Sequence, residues 1–492
     1  MIRQPLDKAL RRTLEASVVK ARDIAEKAAT QSLTQLSIGD AKPADYLSDK
    51  QRKLRKRLRA HGRQLGDSKD TNGQQSIHKL VTEVAYEHWH RMLFARFLEQ
   101  NNLLMYDEHT SLTLADCNEL VQESDVARDE LERGCESGWE LAGVLASKML
   151  PQIFRIDSPV FELEFAPEHQ RSLEQLVTGL ALETFQAQDS LGWAYQFWQS
   201  KRKEEVNKSE VKIGADELSP VTQLFTEPYM VSFLLDNALG AWWAGQRLSE
   251  SDWQQASSEQ ELREKASIPG VPLSYLRFVK DEQTQQWQPA SGTFDAWPKQ
   301  LGELKALDPC CGSGHFLVAA FLMLVPMRMQ VENLTAQQAI DKVLSENLHG
   351  LELDQRCVEL AAFALALEAW RYPNAGGYRA LPELHLACSG ISIHTAKDEW
   401  KAITAAAGKQ NLTIALDWLF QTFKDAPVLG SLITPRRSHA AKIVPWEDLQ
   451  QALASAFKTD EQLQKTSSGD ELSQRIEAGI VAQGLAKSFE LL

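Results

Sequence analysis

Residues 307–317 read Leu-Asp-Pro-Cys-Cys-Gly-Ser-Gly-His-Phe-Leu, an apolar strand end that runs into a glycine turn and then an apolar helix. Lys305, Ala306 and Leu307 supply the expected strand, and Asp308 and Pro309 end it. Gly312 and Gly314 permit positive φ and close backbone approach, and residues 316–323 carry helix-forming apolar side chains. A strand, a glycine loop and a helix start together point to a nucleotide-type site at the carboxyl end of a parallel strand, where backbone N–H groups meet the ligand's polar atoms. The spacing lacks the third glycine of a dinucleotide fingerprint, and no Lys-Ser/Thr follows as a P-loop needs, so phosphate is not the guest these residues single out.

Working outward, residues 348–353 form a short apolar stretch, His349 and Gly350 aside, that ends in Glu352 and Asp354. An acid at the end of a second strand can accept hydrogen bonds from both hydroxyls of a ribose, and Glu352 is the better placed of the two. A third strand is expected over residues 383–387, running into Cys388, Ser389 and Gly390. Upstream, residues 224–231 read Leu-Phe-Thr-Glu-Pro-Tyr-Met-Val ahead of an apolar helix through Phe233, Leu234, Leu235 and Leu239. Taken alone, this is a helix start with Thr226 as N-cap and Pro228 in the first turn.

The order Asp-Pro-x-x-Gly-Ser-Gly-x-Phe-Leu at 308–317 resembles the first signature of the S-adenosylmethionine-dependent DNA methyltransferases that modify the exocyclic amino group of adenine. The resemblance implies S-adenosyl-L-methionine as cofactor, with Asp308, Gly312, Gly314 and Phe316 at its methionine end, Glu352 at its ribose, and Thr226 contributed by the upstream segment. Two positions depart from the pattern. Glu227 and Pro228 are exchanged relative to the usual Thr-Pro-acid-aromatic order, and Cys388 and Ser389 stand where many such enzymes place an aspartate. Residues 85–99, 237–242 and 419–432 resemble stretches of the large adenine methyltransferases of BREX-type phage-defence and restriction-linked systems, the PglX-like group.

Amino-group methyltransferases also need an Asn/Asp-Pro-Pro-Tyr/Phe loop, whose carbonyls accept hydrogen bonds from the target NH₂ while the aromatic ring stacks on the flipped base. No Pro-Pro pair occurs in the sequence, so no residue is assigned as catalytic. The fold class expected is α + α/β. It comprises a helical N-terminal domain (1–215), an incomplete Rossmann-like S-adenosylmethionine-binding methyltransferase core (216–400), and a helical C-terminal segment (401–492) leading toward a missing strand four.

The expected function is site-specific DNA adenine-N6 methylation in a phage-defence or restriction-modification system, with this chain as the cofactor-binding front portion. The alternative is a non-catalytic S-adenosylmethionine-binding or scaffold subunit of a defence complex. Expected partners are double-stranded DNA and either a second polypeptide or a further C-terminal region that supplies the rest of the sheet and the target recognition. Without it, strand one would be a bare apolar edge, which invites pairing.

The formal charge of -14 over 492 residues argues against a uniformly basic nucleic-acid binder, yet residues 50–63 hold eight Lys/Arg and no acid. Such a run could follow a phosphate backbone or be a solvated helix face, the latter favoured. Six cysteines over this length imply no disulfide framework and a reducing, cytoplasmic compartment, and no Cys/His spacing suggests a metal. His88 and His90 flank Trp89 within a helical stretch at 81–105 and read as packing residues. The N-terminus carries no signal-peptide core, and residues 316–327 are apolar but too short for a bilayer. Residues 201–219 read as a polar linker.

Overall fold

A computed structural model describes residues 4–123, 135, 137–151, 153, 158–209, 221, 225–389 and, farther on, 410–423, 425, 429, 432–434, 437–446 and 448. The chain divides into two compact units, residues 3–212 and residues 213–492. The expectations placed on residues 210–220, on Gly390 and on residues 449–492 fall outside the described residues.

The first unit is helical. The Lys8–Gln35 helix carries small and apolar residues along one buried stripe, Leu14, Val18, Ala21, Ala25, Ala28, Ala29 and Leu33, which lets the His78–Gln100 and Ser190–Ser209 helices pack closely against it. Asp189 locks the corner, accepting from Leu6 N at 2.7 Å and from Trp193 Nε1 at 2.8 Å. The helix expected at 81–105 forms over His78–Gln100. His90 lies 3.0 Å from the Tyr86 hydroxyl, and His88 stacks on Phe165 with its Nε2 3.1 Å from Val160 O. Burial pushes the His88 imidazole down to about 4, so both histidines are packing residues.

The run 201–205 is helical and does not form a linker. The Ser190–Ser209 helix continues through it because Lys201 pairs with Asp23 and Glu26 and Lys208 with Glu204.

The second unit is α/β. Two short antiparallel strands, β1 (Phe278–Lys280) and β2 (Trp287–Pro289), form a hairpin. Three parallel strands, β3 (Ala306–Asp308), β4 (Leu348–Glu352) and β5 (His385–Cys388), form a sheet in that order, with Asp308 opposite Gly350 and Glu352 opposite Cys388. The strands fall within two residues of the expected positions. Asp308 is the last residue of its strand, and the third strand starts later, at His385, and runs through Cys388.

Among the described residues β3 is an edge, and Leu307 on it is half exposed. The His315–Glu332 helix follows the glycine loop and runs straight through Pro326. At 18 residues it is longer than the expected 12-residue stretch, and it is long and apolar enough to cross a membrane by length and composition. Here Leu317, Phe321, Leu324 and Val325 instead join the core beside β4 and the Gln355–Trp370 helix. The described part of the C-terminal stretch includes the Gln410–Phe423 and His439–Ile443 helices.

Candidate functional site

The site is built where β3 and β4 end. Cys311 N donates to Leu351 O at 3.0 Å, tying the glycine loop to the neighbouring strand, and Gly314 N closes the turn on Cys311 O at 2.8 Å. Gly312 and Gly314 have φ of +52° and +78°, as the sequence required. Their surroundings differ. A Cβ on Gly314 would stand 2.8 Å from both Cα and Cβ of Ala361, so the Gln355–Trp370 helix can approach only because this residue is glycine, whereas a Cβ on Gly312 would meet nothing within 4 Å. Gly350 has the same packing role within β4, since its Cβ would lie 2.6 Å from Leu386 and 2.8 Å from Leu317.

Two carboxylates meet at this loop. Glu352 is 8% exposed, and its Oε2 accepts from Gly312 N at 2.8 Å while its Oε1 accepts from Leu353 N at 2.7 Å and Asp354 N at 3.1 Å. Asp308 accepts from Cys310 N at 3.2 Å. Burial raises both carboxyls above the ordinary carboxylate range, and for Glu352 the three N–H bonds pull the other way.

Asp354 serves a different purpose. It caps the Gln355–Trp370 helix through Arg356 N and pairs with the Arg356 guanidinium. Beyond β5, Ser389 N donates to Glu352 O at 2.7 Å and Cys388 Sγ lies 3.4 Å from Leu353 O, so both residues border the acid.

The upstream segment reaches the same place. The Phe225 ring sits 4.2 Å from the His315 ring at the start of the glycine-loop helix. Thr226 is not the N-cap. The helix begins at Pro228 with Glu227 at the cap position and no side-chain capping bond, because Pro228 occupies the first helical position and moves the boundary one residue on. Phe316 is partly buried against the core. The structure therefore gathers Asp308, Gly312, Gly314 and Glu352, sets Phe225 beside the first residue of the loop helix, and gives Phe316 mainly a packing contact.

Two supports were not foreseen. Arg328, 1% exposed, bonds Glu332, Glu346 and Asn347, while Asn347 Nδ2 donates to Leu301 O and Leu304 O, each at 2.7 Å. This network joins the turn before β3 to the residue before β4, so it sets the relation between the loop and Glu352. An arginine inside an apolar helix with a glutamate four residues on was the available signal.

The second support is a π-turn, Asp236–Gly240, that interrupts the upstream helix. Its Asp236 accepts from Tyr275 N at 2.8 Å, and Asn237 bonds Phe233 O, Tyr275 O and Arg277 N. Burial pushes the Asp236 carboxyl up to about 6, against the pull of the Tyr275 N–H.

The arrangement suits a neutral or cationic ligand with hydroxyl donors. It offers open space beside the Gly312 Cα, a buried acid in Glu352 and a half-buried one in Asp308, with no described arginine or lysine bonded to either acid as an anion site would require. Among the described residues no group of three or more His, Cys, Asp or Glu could hold a metal ion.

The family described as "MmeI, DNA-methyltransferase domain" matches residues 282–380, a span that contains the glycine loop and Glu352. An adenine-specific methyltransferase PglX of Lacticaseibacillus casei (strain Zhang) is 24% identical over 413 residues, covering 77% of this chain and 33% of that protein. An adenine-specific methyltransferase BrxX of Escherichia coli O9:H4 (strain HS) is 27% identical over 197 residues, covering 40% of this chain and 15% of that protein. A PglX of Streptomyces coelicolor is 37% identical over 83 residues, 16% of this chain and 6% of that protein. The chain spans a third or less of the length of the curated relatives it matches.

Proposed function

We propose that this chain, a relative of the PglX-like adenine-specific methyltransferases, is the S-adenosylmethionine-binding portion of a site-specific DNA adenine-N6 methyltransferase in a BREX-type phage-defence or restriction-modification system. The observation that carries the reading is the junction of Glu352 with the glycine loop. A buried acid at the end of β4 meets a positive-φ glycine at the end of β3 at 2.8 Å, inside the matched residues.

In this reading residues 216–400 are the cofactor half of a Rossmann-like core, residues 1–215 a helical domain, and residues 401–492 an insertion. Asp308 and the glycine loop, kept open by Gly312 and Gly314, border the amino-acid end, Glu352 takes the ribose hydroxyls, and Thr226 borders the methionine. Two acids that lack a bonded cation favour a positively charged sulfonium and ammonium. When bound, the cofactor supplies an electrophilic methyl group for a target amino nitrogen. The residues named here bind and align it, and alignment is the larger part of what such an enzyme contributes. Double-stranded DNA is the substrate, the cytoplasm the compartment, and the rest of the sheet and the base-reading part come from a second polypeptide or a further region of the protein.

One observation favours a second reading. These 492 residues hold no Pro-Pro pair, so the loop that accepts the target NH₂ does not lie among them, which also fits a non-catalytic S-adenosylmethionine-binding scaffold. Incubation with methyl-labelled S-adenosylmethionine and duplex DNA, followed by nucleoside digestion, separates the two. Label in N6-methyl-2′-deoxyadenosine refutes the scaffold. Retained cofactor binding without label is the outcome expected of the cofactor-binding portion alone, and absence of cofactor binding discards both readings.

A further inference from the structure

The basic run 50–63 lies in the first unit and takes no part in the glycine-loop site. It forms the Asp49–Gln64 helix, started by a Ser48–Gln51 capping box. Its arginines turn inward. Arg55 and Arg59 are buried, and their guanidiniums donate to the carbonyls of Ser37, Ile38, Asp40 and Gly73. Arg52 donates to Ala44 O, Asp45 O and Leu47 O, Arg57 pairs with Glu162, and Arg63 donates to Gln75 Oε1.

The lysines turn outward. Lys50, Lys53 and Lys56 are exposed, and among the described residues none has an ion pair or hydrogen bond. At three-residue spacing they rise along one side of the helix over about 9 Å, comparable with two to three successive phosphates of one DNA strand.

We propose that this lysine strip is a docking surface for the phosphate backbone of duplex DNA, held rigid from below by the arginine staples. In a chain of formal charge -14, three neighbouring unpaired cations on an anchored helix form a local attractive field for a polyanion. Duplex DNA is favoured over a lipid surface because the strip side of the helix shows Lys50, Lys53, Lys56, Ala60 and Gln64, flanked by Asp49 and the partly exposed Arg57, and no large apolar side chain to insert. Contacts of this kind position a protein on the duplex and read no sequence. The proposal rests on the DNA-modifying reading above and adds where the first unit touches the substrate.

The test is fluorescence anisotropy of a labelled duplex across a salt series, with the full chain and its K50E/K53E/K56E variant. The expected result is at least about tenfold weaker binding at low salt and a log K against log salt slope shallower by about two to three, close to one for each lost phosphate contact. The melting temperature and S-adenosylmethionine binding should stay unchanged, because these exposed side chains make no hydrogen bond or ion pair among the described residues. Equal affinity and slope for the two proteins overturns this proposal alone. Failure of the unaltered chain to bind duplex overturns it together with the DNA reading, and binding of phosphatidylserine vesicles in place of duplex assigns the strip to a membrane and overturns it as well.

Discussion

The glycine loop and the basic helix are the two most conspicuous stretches of this sequence, and they turn their chemistry in opposite directions. At the loop the side chains are small, so the backbone faces outward at Gly312 while Glu352 closes on it from β4. At the helix the charges that dominate the sequence are mostly used inside, with Arg55 and Arg59 buried on carbonyls of the preceding segment, and the three lysines are left at the surface without a partner among the described residues. Four methylene groups and a single ammonium keep a lysine in water, whereas a guanidinium with five donors can satisfy several carbonyls at once. A run of positive charge is therefore two populations, divided by side-chain type and helix phase.

The contrast is broken most severely at its buried members. Gly314→Ala adds a Cβ 2.8 Å from Ala361 backbone at φ +78°, and should cost about 2–4 kcal/mol in urea unfolding, whereas Gly312→Ala, at φ +52° in open space, should cost about 1 kcal/mol. Equal losses would mean that the two glycines do not divide packing from ligand approach. In the first unit, Arg59→Ala strips the donor from the carbonyls of Ile38, Asp40 and Gly73 and should cost about 2–4 kcal/mol. Lys53→Ala should change stability by less than about 0.5 kcal/mol, since it alters a surface position with no partner. A comparable loss for the lysine would erase the inward–outward division.

Asp236 sharpens the account of how the site is supported. Its folded pKa of about 6 lies above the ordinary 3.8 for an aspartate, so the folded protein holds this proton more tightly than the unfolded chain does. Its contribution to stability is fully present below about pH 4 and is lost as pH rises through about 6. Asp236→Asn keeps an acceptor for Tyr275 N, should remove that dependence, and should stabilise the protein at pH 8 by about 1–3 kcal/mol. Stability measured by urea unfolding between pH 4 and 8 checks the sign.

Much of the α/β unit was legible because its signals are local. A strand end, two glycines and an apolar helix specify their own backbone, and the three strands lie within two residues of where short apolar stretches and turn residues put them. Two of the misplaced features depend on distant partners, and the others on a neighbouring proline or on shortness. The stretch 201–209 looks like a linker until Asp23 and Glu26 are seen to neutralise Lys201. The Thr226 cap yields to Pro228, which fixes the first helical residue. Arg328 looks like an isolated charge in an apolar helix, and only Asn347 and Glu346, brought from the next element, show that it ties β3 to β4. The hairpin of β1 and β2 is three residues per strand, too short for a periodic signal.

The central claim is that the loop from Asp308 to Gly314 and the acid Glu352 form one cofactor site, and isothermal calorimetry with S-adenosylmethionine tests it most directly. The unaltered chain should bind, and Asp308→Ala and Glu352→Ala should each weaken binding by about 1–3 kcal/mol, the loss expected for a buried charged hydrogen-bond partner. Affinity unchanged in both variants would contradict the account.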